Sequence, residues 1–345
     1  MRGYSAEKVW PWSGGRPFGA GVGPSGRIPA RLPQIKPRRL IDVAVLAVKS
    51  VWTPQLIGMT ARASVFRRCS GRLASLLALL AAFDAAAWST LDDWATVVAS
   101  QIESRQSLPV LSAYGIGLTL PEAYFVQRQV VQRLAKPVAV AGFRAALTRP
   151  RGQVAFNVQG PVTGVIFKAG VLRGAPALSL RQFPGLTIAP GLAFLLRARI
   201  AQPLASADGV ESLVSAVFPV IDLANEDFER KTQVSATDLV AGNAAFGRVL
   251  LGKPLPDTRP ETFNGVLVEL AHQSRVIDRG RGVNLMGDQR NALRWLINTL
   301  LAQGWELPAG TLLMTGGLSD PVPAKPGEYI ARYWDLDTLT FRVIP

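Results

Sequence analysis

Between residues 90 and 105 the apolar positions Trp94, Val97, Val98 and Ile102 recur at helical spacing, which predicts a helix with one buried face. Thr119-x-x-Glu122, with Pro121 between them, has the form of a capping box and predicts a second helix running to about Leu134. From Val138 to Ile200 the pattern changes to short apolar runs split by Gly and Pro: VAVAGF, VTGVIF and TIAPGLAFLLRARI. These read as strands. Asp208 is placed to cap a helix reaching about Val217, followed by the buried-strand run FPVIDLA. A long helix is expected from Leu285 to Gln303, with Leu293, Leu296, Ile297, Leu300 and Leu301 turned inward. The run TLLMTG and a hairpin within ARYWDLDTLTFRVI close the chain. Residues 88–345 therefore read as one α+β domain, strand-rich around a few helices.

The first 87 residues follow different rules. Residues 11–37 are rich in Gly, Pro and Arg without any period, so 1–58 is expected to be a disordered or non-native extension. Met59 opens a new layout: four arginines, an apolar run from Leu73 to Phe83, then Ala85-Ala86-Ala87. That order is the plan of a secretory signal peptide, and the run is too short to span a bilayer. Cleavage after Ala87 would send a chain without cysteine to the periplasm or the medium, since Cys69 is the one cysteine present. If 59–87 is instead an ordinary buried helix, the protein stays cytoplasmic.

Charge changes the picture less than its total suggests. Of the net +14, residues 1–58 carry +7 and residues 59–87 carry +3, leaving +4 on the remaining 258 residues. A body so weakly basic, with no nucleic-acid motif, is not expected to bind nucleic acid. One histidine, His272, excludes a histidine-rich zinc site, and no Gly-x-Ser-x-Gly elbow accompanies it, so it reads as a surface or strand-end residue.

Five segments in fixed order carry a family resemblance: PEAYFVQRQV (121–130), AGFRAALTRPRGQVAFNVQGPVTGVIF (141–167), FPVIDLANEDF (218–228), TDLVAGNAAFGRVLLG (237–252) and GDQRNALRWLINTLLAQGWELPAGTLLMTGGL (287–318). Together they resemble the 2-keto-4-pentenoate hydratase family of the fumarylacetoacetase superfamily. The resemblance implies a mixed β-sheet roll with flanking helices, a homo-oligomer, and a hydratase, a carbon–oxygen lyase, acting on 2-keto acids. It also implies three carboxylates holding Mg²⁺ or Mn²⁺ as Lewis acid, two of them in a Glu-x-Glu pattern on one strand face. Here those two positions hold Ala189 and Gly191, the third holds Asp222, and the family's active-site lysine is Arg144. One carboxylate in three does not make a hard-cation site, so no metal cofactor is expected.

Between Glu122 and Asp208 there is no acidic residue and there are eleven basic ones, a balance that favours an anion. Most of these eleven read as a solvated basic face. The expectation is a small carboxylate ligand gripped by Arg144 in a bidentate contact, with Asp222 as general base or as the group that holds Arg144. By the resemblance, Gln153, Thr315 and Gly316 join Arg144 around the ligand. Two other readings stand beside it. One is an active hydratase or decarboxylase with a rearranged metal site using Glu226 or Asp227. The other is a binding or scaffold protein that kept the fold and lost the chemistry.

Overall fold

A computed structural model describes residues 90–135, 139–245 and 247–345. The expectations for 1–58 and for a signal segment over 59–87, Cys69 included, lie outside the described residues.

Among the described residues, 90–104 form the first helix, burying Leu91, Ala95, Val98 and Ala99. The second helix spans Leu120–Leu134, and its capping box is complete: Thr119 N donates to Glu122 Oε2 at 2.8 Å and Glu122 N donates to Thr119 Oγ1 at 3.4 Å. That satisfies two amides that a helix start leaves without partners.

Among the described residues thirteen strands follow: β1 Val140–Ala146, β2 Val162–Phe167, β3 Val171–Leu172, β4 Ala177–Ser179, β5 Leu186–Leu196, β6 Val214–Asn225, β7 Arg248–Leu251, β8 Leu267–His272, β9 Arg275–Arg281, β10 Leu312–Gly317, β11 Val322–Pro323, β12 Gly327–Tyr333 and β13 Asp337–Ile344. The larger sheet runs β2-β1-β10-β5-β6-β7-β3, with β11 on β5. Its two ends, β2 and β3, are separated by only the three residues 168–170, so the sheet curls back on itself as a roll. One face is lined by Ile166, Ala193, Phe218, Val220, Val249 and Met314. The other joins the main core with the helices. The second sheet runs β4-β13-β12-β8-β9 and buries Tyr329, Tyr333 and Phe341. Mixed sheets flanked by helices match the expected class.

Three expectations change. Asp208 caps no helix: Ser206 and Asp208 close a turn, Val210–Leu213 is a single 3-10 turn, and Val214 already pairs with Leu196. The β-branched residues that follow join an eleven-pair ladder with β5, and that long-range pairing outweighs a local cap signal. The last helix starts at Gln289 rather than Leu285, because Met286 and Gly287 take left-handed φ values of 46° and 72° and Asp288 caps it. A short helix, Pro150–Ala155, interrupts the strand region with proline in its first turn, and it buries no side chain. Among the described residues no helix is long and apolar enough to cross a membrane.

Candidate functional site

The roll brings together residues far apart in sequence by register alone. Ala189 on β5 faces Asp222 on β6, and Gly191 faces Val220. Arg144 on β1 pairs with Met314 on β10, which pairs with Ala193 on β5. Side chains paired this way share one face. Arg144, Ala189, Gly191 and Asp222 therefore all belong to the inner face of the roll.

Arg144 is 3% exposed, and its guanidinium is held by protein. Nη1 donates to Asp222 Oδ1 at 2.6 Å, while Nη2 donates to the carbonyls of Ala244 and Ala245. Those carbonyls are aimed by three successive left-handed residues, Asn243, Ala244 and Ala245, with φ of 58°, 49° and 58°. A run of non-glycine residues there costs on the order of 1 kcal/mol each and is kept only where its surroundings enforce it. The end-on fork assigned to a ligand carboxylate is thus already filled, and Asp222 is the residue that fixes it. Arg144 Nε is buried with no hydrogen-bond partner.

Beyond Asp222, at the end of β6, stands Glu226. Desolvation first and the Asp222 charge second push its carboxyl above the usual range, against the opposite pull of Arg144 and Lys231. Glu226 lies one residue past the end of β6, four residues on from Asp222. No sequence signal marked the Ala244 and Ala245 carbonyls.

At Gly191 there is no room for a longer residue. A Cβ there would lie 2.7 Å from the Gly316 carbonyl oxygen and 2.9 Å from Met314 Cε. Tyr333, from the second sheet, locks the same point: its hydroxyl donates to Val220 O at 2.7 Å and accepts from Gly191 N at 3.2 Å. Among the described residues no group of three His, Cys, Asp or Glu side chains is placed to hold a metal ion. Asp227, one of the alternative carboxylates, instead accepts from Ser107 Oγ at 3.1 Å.

The other expected ligand residues hold structure. Gln153 Nε2 donates to Leu147 O at 2.9 Å, bracing the turn into the short helix. Thr315 lies on the opposite face from Met314, where Oγ1 donates to Gln289 Oε1 at 2.6 Å. Gly316 is at the site, beside Gly191, with φ of 119° and Thr148 against it. His272 belongs to the second sheet, its ring 4.5 Å from that of Tyr329. Several of the eleven basic residues also have acidic partners. Arg133 pairs with Asp92, Arg149 and Arg151 with Asp320, and Arg199 with Glu306.

No family model matches the chain. Curated relatives do. A 4-oxalocrotonate decarboxylase of Pseudomonas sp. (strain CF600) is 24% identical over 229 residues, 66% of this chain and 86% of that protein. A 2-oxo-hept-4-ene-1,7-dioate hydratase of Escherichia coli is 24% identical over 263 residues, covering 72% of this chain and 97% of its own. A 2-keto-4-pentenoate hydratase of Burkholderia vietnamiensis (strain G4 / LMG 22486) is 27% identical, covering 56% and 74%. In structure, the 4-oxalocrotonate decarboxylase of Pseudomonas putida G7, complexed with magnesium and adipate, superposes with a TM-score of 0.70 at 20% identity, over 74% of this chain and 98% of that one. That likeness places the fold among the fumarylacetoacetate hydrolase-like rolls. In sequence the chain is thus similar to 2-keto-4-pentenoate hydratases and 4-oxalocrotonate decarboxylases over much of its length, and it shares their fold.

Proposed function

We propose that this hydratase-like protein binds a small carboxylate of the 2-keto acid type at the polar end of the roll without a resident divalent metal. The observation that carries this reading is the Arg144–Asp222 ion pair, 2.6 Å long, facing Ala189 and Gly191. A divalent ion does not fit there. Asp222 already has a cation in Arg144, and the Gly316 backbone fills the space beside Gly191. Arg144 supplies a fixed positive charge instead, which favours an anionic ligand without forming a bidentate clamp. Asp222, its side chain 16% exposed, is placed to move a proton on such a ligand. Adipate and acetate in structures of the Pseudomonas putida G7 relative support the ligand class, though those complexes also contain magnesium and calcium.

The test uses the full chain in metal-free buffer. Calorimetric titration with Mg²⁺ and Mn²⁺ should show no stoichiometric binding. Pyruvate or 2-oxopentanoate should raise the melting temperature saturably, as a ligand of the folded state must. Asp222→Asn should keep that rise and lose any turnover of 2-hydroxypenta-2,4-dienoate. One equivalent of bound Mg²⁺, or turnover that requires it, would overturn the proposal in favour of a rearranged metal site. We also propose export through residues 59–87, supported by the Arg-rich start, apolar run and Ala85–Ala87. N-terminal sequencing of protein from its native host should give a chain beginning near Trp88; a product retaining Leu73–Phe83 would refute it.

A further inference from the structure

Behind Asp222, on the outer face of the roll, lies a second polar cleft. Arg248 opens β7 opposite Leu223, so it is on the other face from Asp222, which pairs with Val249. Its guanidinium sits 5.3 Å over the Phe183 ring, and Nη1 donates to Gly247 O. Arg105, Asn225, Gln182 and Asp227 complete the lining that matters here, around a cavity of about 80 Å³. A space of this size holds several water molecules, enough for one carboxylate or phosphate group.

The chemistry of the lining is uneven. Two arginines converge, and desolvation together with the Arg105 charge pulls Arg248 below its usual range. Arg105, at the exposed end of the first helix, donates its backbone N–H to Ile102 O, while its side chain makes no hydrogen bond or ion pair with the described residues. Asn225 Oδ1 accepts from Gly185 N at 2.9 Å, which leaves its amide nitrogen with two donors. The one acid, Asp227, is 8% exposed and already accepts from Ser107. Donors and positive charge exceed acceptors, and two like charges share a cleft where an anion would relieve their repulsion.

We infer that this cleft is an oxyanion site separate from the polar end of the roll, fitted to one carboxylate or phosphate group of a small ligand. Arg105 and Arg248 form its charged jaws, Asn225 and Gln182 supply neutral donors, and Phe183 forms an apolar side.

Titrating the full chain with inorganic phosphate and, separately, with acetate at matched ionic strength tests it. Expected is saturable binding of at least one of them. Arg105→Ala should weaken it about tenfold, the loss of one charged hydrogen bond. Arg248→Met, which keeps a flexible side chain over Phe183, should abolish it. Arg105→Ala should also leave the anion-free melting temperature unchanged or higher, because it removes a repulsion. Acetate binding alone would assign a carboxylate ligand, and phosphate binding alone a phosphorylated one. Absence of saturable binding by either, or binding that Arg105→Ala leaves intact, would overturn the site. Arg105 is exposed, so its variant carries the test even if Arg248→Met fails to fold.

Discussion

Two buried polar clusters are built on neighbouring strands of the same roll, and they are finished to different degrees. Around β2, Gln127 Nε2 donates to Thr163 O and Val240 O, and Asn243 grips both the N–H and the C=O of Val165 at 2.7 and 3.0 Å. Tyr124 accepts from Thr163 N, and Thr163 Oγ1 donates to Gln303. No buried side-chain polar atom in that cluster lacks a partner. Across β1, the Arg144 cluster leaves Nε unpaired, lets Asp222 reach solvent and pushes the Glu226 carboxyl up. A fully matched buried network stabilises and specifies a structure. An incompletely matched one costs stability, and such groups concentrate where a ligand completes them. Asn243 links the two clusters, because the left-handed run it opens also aims the carbonyls that hold Arg144.

The largest effect should come from Arg144. Arg144→Met strands Asp222 and two carbonyls, and breaking a buried pair from one side costs about 3–5 kcal/mol. Urea unfolding would measure it. Arg144→Met with Asp222→Leu should recover most of that loss, since no charge remains to be stranded. If the double variant is as unstable as the single one, the carbonyl contacts rather than the ion pair hold the polar end together.

Asn243→Gly comes next. Glycine takes the left-handed φ of 58° without strain, so the variant isolates the amide contacts to Val165. Leaving a buried N–H and C=O unpaired should cost about 2–3 kcal/mol. A loss well below that, with water replacing the amide, would mean the first cluster is no more finished than the second. Ligand-induced stabilisation should be kept in this variant, because the Ala244 and Ala245 carbonyls that hold Arg144 remain in place.

Much of this arrangement was legible in the chain. Short apolar runs marked the strands, Thr119 and Glu122 marked a helix start to the residue, and the five segments pointed to the roll. What stayed hidden was non-local or carried by backbone. The Asp208 cap resembled a helix start because nothing in the linear pattern shows that Val214 pairs with Leu196. The acid-free segment read as a balance favouring an anion because its partners Asp92, Asp320 and Glu306 lie outside it. The two carbonyls that occupy Arg144 have no residue identity to read, so the guanidinium was assigned to a ligand.

Glu226→Gln should give the smallest effect and the most diagnostic pH dependence. The folded carboxyl titrates above its ordinary 4.5 because of desolvation and Asp222. Below the unfolded value both states hold the proton and no penalty exists. As pH rises through that value the unfolded chain ionises first, so stability falls until the folded pKa is passed and then stays lowered. Glutamine is neutral throughout, so Glu226→Gln should match the parent in acid and exceed it above that window. Because Glu226 is only half-buried, solvent screening should hold the gain to about 1 kcal/mol or less. Thermal melts from acid to neutral pH would resolve the two curves. The groups that face this carboxyl also set the sign of two further changes. Asp222→Asn should shrink the gap, because the repelling charge is gone. Arg144→Met should widen it, because the attracting one is. If Glu226→Gln is instead less stable at neutral pH, Glu226 is ionised there and paired, with Lys231 or Arg144 as the cation. The polar end would then be as well matched as the Gln127–Asn243 clamp, and its claim to be the unfinished cluster would fail.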